Sequence, residues 1–427
     1  MVLPQQLVLN HPAHLPKKNT KIIGNTGEQI NFYKKLHASS GLHVPHCNFN
    51  ASQTQVVADV GPKLGMSNRV KNIYQTNNFN EINKVEEQCS NDLTPIYNNA
   101  DKPTSWITVE TEGGAQLVMR WASNGSYIYS YPLSITPAFN NTNNTDPNAK
   151  YIARVQFGVY SASTGLFGTH TYKFGLTTAI TGISAATMVA LTVGKLMNSS
   201  FMYYVEDFAT LLTKAANQMN IAAEFYTPKE VQGTLVGHID FVCNFIAYYF
   251  YSSMLHMSRI QIFNWDTYSQ WTINTQAIKN ANYPGLEDPS KVYITNAALS
   301  DSAFYPQGYE KPELTVGYSV YIYAGYGSAT GAVTQVALQV GRAINPIEGC
   351  TYAFSNVHTG PVQNLSGAFI EPNVFLQNTK TTDWVKKQLT VSATTNSVPV
   401  TATINTATKK YTNILININK GNPQSLL

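Results

Sequence analysis

The sequence predicts an α+β fold: antiparallel β-rich regions flanking a central helical segment at about residues 183–260, of jelly-roll or shell-subunit type. Three observations predict it. Apolar and polar residues alternate along residues 106–162, recur at spacings of three and four from residue 201, and alternate again beyond residue 290.

In chain order, residues 1–50 hold four prolines and little periodicity and read as an N-terminal arm. Residues 51–275 read as a β-meander with a helical core, and 276–427 as a C-terminal β-rich region packing on the same body. The stretch around Glu81 to Cys89 has a short helical pattern. In "WITVETEGGAQLVMRWASNGSYIYSYP" three β-prone runs are separated by Gly113-Gly114 and Asn124-Gly125, pairs suited to two-residue hairpin turns. "NNTNNTDPN" (140–148) is a polar loop, and "YIARVQFGVYSA" (151–162) supplies a fourth strand with Ala153, Val155, Phe157 and Val159 on one face.

Phe201, Val205, Phe208, Leu212, Ala215, Met219 and Ala222 line one face of a helix, with Ser199 or Ser200 as N-cap and Thr227-Pro228 as its end. A second helix starts at Thr227, where Thr227 and Glu230 form a capping box and Pro228 takes the first helical position, and runs to about residue 257. Its second half, "FVCNFIAYYFYSSML", is apolar nearly all round and calls for enclosure as a core helix. Strands follow: Leu314, Val316, Tyr318, Val320 and Ile322 share a face, as do Val336, Leu338 and Val340, with "GYGSATG" (325–331) as the hairpin loop between them. "LTVSA", "VPVTATI" and "NILININ" repeat the alternation to the C-terminus.

Twenty-one uncharged residues, "FGLTTAITGISAATMVALTVG" (174–194), separate Lys173 from Lys195, long enough to span a bilayer. Only eight are strongly apolar, worth about −2.4 to −5 kcal/mol of insertion free energy before five threonines, a serine and three glycines subtract from it. The run reads better as a strand, a turn near Gly182, and a helix to Met197 in the protein core.

Charged residues make up only 12% of the chain, against about 25% in ordinary domains, while aromatics reach 11% with 26 tyrosines. Charge-poor, tyrosine-rich surfaces suit assembly interfaces. The net charge is +4, and five arginines and scattered lysine pairs form no basic stripe, which argues against tight sequence-specific nucleic-acid binding. The four cysteines, Cys47, Cys89, Cys243 and Cys350, are widely spaced and read as free, buried thiols. The first residues lack the basic region of a secretory signal peptide.

No Gly-x-Ser-x-Gly elbow, His-Glu-x-x-His helix, phosphate-binding lysine loop or EF-hand loop occurs. His37, His43, His46 and Cys47 cluster, but adjacent His46 and Cys47 are poorly placed to share one zinc ion. The expectations are therefore no enzyme, no catalytic, cofactor-binding or metal residues, and no cofactor. The reading is a self-assembling structural protein, a viral or phage coat subunit whose main partner is itself, located in the virion after assembly in a host cytoplasm. One alternative is a pore-forming toxin inserting residues 174–197 into membranes. The other is a lectin using Trp106 or Trp121 with tyrosines and asparagines; Glu110 and Glu112 share a strand face that points to solvent, and spacing alone does not identify them as a glycoside-cleaving pair.

Overall fold

The computed structural model describes residues 20–25, 63–111, 116–138, 148–198, 208–226, 257–266, 269–282, 292–294, 314–325, 334–342, 348–357, 360–378, 385–386, 390–405 and 411–419. In chain order its elements are β1 (Thr20–Asn25), β2 (Lys63–Met66), α1 (Asn68–Gln75), α2 (Phe79–Tyr97), β3 (Ile107–Thr111), β4 (Gln116–Trp121), β5 (Tyr127–Pro137), β6 (Tyr151–Tyr160), β7 (Phe167–Leu176), α3 (Gly182–Asn198), α4 (Phe208–Gln218) and β8 (Phe225–Tyr226). They continue with β9 (Met257–Asn264), β10 (Trp271–Lys279), β11 (Ala281–Asn282), β12 (Val292–Ile294), β13 (Leu314–Gly325), β14 (Thr334–Arg342), β15 (Gly349–Val357), β16 (Gly360–Ser366), α5 (Pro372–Asn378), β17 (Val385–Lys386), β18 (Thr390–Thr395), β19 (Val398–Asn405) and β20 (Tyr411–Ile418). The chain is thus β-rich with large antiparallel sheets. It forms two compact units that alternate along the sequence: residues 1–60, 88–232 and 300–313 make the first, and 61–87, 233–299 and 314–427 the second.

In the first unit, β1, β3, β4, β5, β6, β7 and β8 pair antiparallel in that order. This is a meander, without the Greek-key return that defines a jelly roll. Thr20–Asn25, within the stretch read as an arm, is its first strand. The alternation read at Ala153, Val155, Phe157 and Val159 holds, all four being fully buried. Against β4, β5 and β6 packs α3. The other face collects Tyr127, Tyr129, Tyr131, Met119 and Phe167. Gly158 is required there, because a methyl group at its position would run into the Tyr129 ring.

The uncharged run ends as expected: Phe174 to Leu176 finish β7, and a helix starts at Gly182. Thr181 caps it, its Oγ1 accepting from the Ser184 N–H at 3.1 Å. Ala185 to Gly194 are buried without interruption, so α3 is enclosed on every side by protein. Gly194 lets it approach Ala100, whose carbonyl occupies the place of a side chain. No helix among the described residues is long and apolar enough to cross a membrane.

Several local expectations are corrected. The β4–β5 connection is not a two-residue turn at Asn124-Gly125: the Gly125 N–H donates to the Ala122 carbonyl at 3.1 Å and only Gly125 has positive φ, which is a longer turn with a glycine bulge. The helix containing Leu212 and Ala215, both buried, stops at Gln218, with the buried Met219 just beyond its end, because Asn220 takes φ 51°. Ala222 is therefore not helical, and Thr227 is not its end. "GYGSATG" does not join a hairpin, since β13 pairs with β2, β9 and β11 whereas β14 pairs with β10 and β15. Of the central helical segment α3 and α4 are seen. The second helix read from Thr227, with Cys243, lies outside the described residues, as do most of the 140–148 loop, Gly113-Gly114 and Glu112.

The second unit is a β-sandwich. One sheet runs β2, β13, β9, β20, β19, β18 and the other β12, β10, β14, β15, β16, β17. Every pairing in it is antiparallel except β9 with β20. Ile260, Ile262, Val400, Ile414 and Ile416 of the first sheet meet Trp271, Ile273, Val336, Leu338, Val340 and Tyr352 of the second in one core. Residues of α1 and α2 cover the far face of the first sheet, where Tyr74 lies 4.9 Å from Phe263. On the second sheet, Phe375 and Leu376 of α5 cover Ala277, Ala337 and Ala353. The β18–β19 hairpin closes on Asn396 and Ser397, both at positive φ, with Thr395 opposite Val398: a two-residue turn whose twist matches the strands.

Candidate functional site

The scarcity of charge makes each buried ionic group informative. In the second unit Arg259 and Glu86 form an ion pair at 2.7 Å with both side chains almost completely inaccessible. Asn413 Oδ1 accepts from Arg259 Nε at 3.2 Å and from Gln261 Nε2 at 3.1 Å, and the Tyr318 hydroxyl donates to Gln261 Oε1 at 3.1 Å. Asn417 accepts from the Trp265 indole at 2.7 Å and donates to Asn77 Oδ1 at 2.9 Å. Polar positions on β9 and β20 are thereby matched to α2 and to the turn between α1 and α2. No solvent or ligand reaches Arg259, so the network positions helices on a sheet.

In the first unit Asp92 does similar work. Its oxygens accept from Ser161 Oγ at 2.7 Å, Ser163 N at 3.0 Å, Ser163 Oγ at 2.8 Å and Asn124 Nδ2 at 2.7 Å. Cys89, one turn before, lies 3.1 Å from the Thr164 hydroxyl. This carboxylate locks two hairpin connections onto α2.

One charged cluster stays open to water: it lies at an end of the sandwich, built by three connections. Arg342 ends β14 opposite Trp271, the first residue of β10, and its N–H donates to the Glu348 carbonyl at 2.9 Å, closing the β14–β15 connection. Asn264 draws in the segment after β9 by donating to the Ser269 carbonyl at 2.9 Å and accepting from the Asp266 N–H at 3.0 Å. Arg342 then reaches Glu348 Oε2 through Nη1 at 2.9 Å, Ser269 Oγ through Nη2 at 2.7 Å, and Asp266 Oδ2 through Nη2 at 3.5 Å. The Trp271 indole donates to the same Asp266 oxygen at 3.4 Å, and Asn396 in the β18–β19 turn donates to Glu348 Oε1. The Arg342 and Glu348 side chains are 26% and 17% exposed, Asp266 only 2%.

Two carboxylates on one guanidinium give the cluster a formal charge of −1. Shared pairing on one guanidinium holds the carboxylates as fixed hydrogen-bond acceptors. Planar side chains fixed at this partly exposed end, beside the exposed Asn396 and Ser397, can exchange hydrogen bonds with hydroxyl-bearing ligands. Sequence reasoning missed this cluster because its members lie far apart in the chain; Arg342 as one of only five arginines was the available signal.

Trp106 is fully buried, its indole donating to the Ala100 carbonyl at 2.7 Å, and cannot be a surface platform for sugar. Trp121 packs partly buried against the tyrosine cluster. Glu110 accepts from Gln116 at 3.3 Å. Cys89 and Cys350 are free and buried as expected, and burial pushes the Cys350 thiol up to about 12. His37, His43, His46 and Cys47 lie outside the described residues. Among the described residues, no group of three or more His, Cys, Asp or Glu is arranged to hold a metal ion.

No protein-family model and no curated protein matches the chain. Among solved structures the chain is similar to the Xerocomus chrysenteron lectin XCL at 9% identity and a TM-score of 0.25, over 39% of this chain and 99% of the lectin. It is also similar to the lipid binding protein Nakanori at 9% identity and a TM-score of 0.28, over 52% of this chain and 93% of that protein.

Proposed function

We propose that the chain is a non-enzymatic glycan-binding protein whose site is the open end of the sandwich, with Arg342, Asp266 and Glu348 as its fixed polar groups and Ser269 and Asn396 beside them. The observation that supports this reading is the Arg342 cluster, charged side chains held by three separate connections yet open to water. Elsewhere the ionic groups discussed, Arg259 with Glu86 and Asp92, serve the packing of strands, helices and turns. Recognition of this kind needs no cofactor. Glycan-array screening of the purified chain tests it. Arg342→Ala should abolish array signals that the parent chain gives, and a parent chain silent across the array would overturn the reading.

A second reading, the self-assembling coat subunit, draws on β18. It lies at the end of its sheet, its exposed Thr390, Ser392 and Thr394 carry no charge, and no strand among the described residues pairs with its outer side. Gly367 lies against the backbone of Thr394, and the remaining edge, without charge or proline, is open to pairing with another copy. The virion location belongs to this reading alone. Size-exclusion chromatography with negative-stain microscopy decides it: closed shells or arrays support it, and a monomer at high concentration sinks it.

A further inference from the structure

Resting on the glycan-binding reading, we infer that the open end of the sandwich takes neutral sugars and excludes acidic ones. Arg342 Nη1 donates to Glu348 and Nη2 contacts Ser269 and Asp266, while Nε is buried without a partner among the described residues, so a sugar carboxylate or sulfate would compete with two protein carboxylates for the same guanidinium. It would also approach the Asp266 and Glu348 carboxylates, and like charges across an interface are a strong means of rejection. A neutral sugar meets the opposite situation. Its hydroxyls are donors, and carboxylate oxygens accept more than one hydrogen bond each, so Glu348 can receive a sugar hydroxyl while keeping Arg342 and Asn396. The exposed Asn396 and Ser397 at the adjoining turn add amide and hydroxyl groups that bind either way.

The nearly inaccessible Asp266 keeps the selectivity from being a matter of Glu348 alone. Paired with both Trp271 and Arg342, it anchors the guanidinium from within and prevents it from swinging out to meet an anion.

The test compares neutral oligosaccharides with their sialylated or sulfated counterparts on the full chain, by array and then by titration at low and moderate salt. Neutral forms should bind, and acidic forms should bind at least about tenfold more weakly, the gap narrowing as salt screens it. Glu348→Gln removes one negative charge at similar volume and should narrow the same gap. Asn396→Gly preserves the positive-φ turn, removes the amide held by Glu348, and should weaken neutral-sugar binding several-fold with the fold intact by circular dichroism. Equal or tighter binding of the acidic forms would overturn the inference while leaving glycan binding in place. Silence toward every sugar would instead remove the reading on which it rests.

Discussion

Arg259 and Glu86 show how a charge-poor chain uses the charges it has. Both are buried, and each is acceptable only because the other, with Gln261 and Asn413, supplies its hydrogen bonds. Glu86→Ala should therefore destabilise the second unit by about 3–5 kcal/mol by leaving the guanidinium uncompensated, whereas replacing Glu86 and Arg259 together with methionine should cost much less. Urea unfolding of the two variants measures the difference. His170 is buried beside Tyr172, and burial lowers its pKa from the usual 6.5 to about 3. Between those values the unfolded chain binds a proton that the folded chain refuses, so this contribution to stability is complete above pH 6.5 and is lost as pH falls toward 3. The expected slope is about 1.4 kcal/mol per pH unit, seen as a falling urea midpoint that His170→Leu makes shallower. Neither role is written in the local sequence. Arg259 stands in a β-prone run, and packing against α2 gives it the Glu86 carboxylate.

Helix α3 is the element in which sequence and structure agree most closely. Its thirteen residues from Ser184 to Leu196 lack strong polarity except Lys195, and Thr187 satisfies its hydroxyl inside the helix by donating to the Ile183 carbonyl at 2.7 Å. Such a segment is stable wherever protein surrounds it, and the sheet does so here. Gly194→Val should lower stability by about 1–3 kcal/mol through collision with the Ala100 carbonyl, read as a drop in melting temperature. Asp92→Ala should cost a similar amount, about 1–3 kcal/mol, by leaving Ser161, Ser163 and Asn124 without their shared acceptor, with hydrogen exchange rising at residues 161–166. The elements misread from sequence failed at their ends. Asn220 and Gly125 adopt positive φ where the apolar spacing still continued or a shorter turn was expected, and spacing carries no record of the backbone angle at one residue.

For the whole molecule, burial of α3 predicts that the chain at neutral pH will leave liposomes sealed, and dye release would show that the helix leaves its sheet. The strands were legible because alternation reports which face is buried: Ala153 to Val159 and Val336 to Val340 lie where their pattern puts them. The open-end cluster was not legible, since Asp266, Arg342, Glu348 and Asn396 belong to connections rather than to periodic elements. Composition and pattern alone established a β-rich chain, an enclosed apolar helix after residue 182, and free buried thiols at Cys89 and Cys350. Tertiary structure decided the rest: that β13 and β14 enter different sheets although they are neighbours in the chain, that residues 61–87 join the C-terminal strands in one unit, and that Trp106 is core. The physical reason is the same in each case. Period reports how a segment meets an apolar surface, whereas the identity of that surface depends on which distant strands supply the remaining hydrogen bonds and volume.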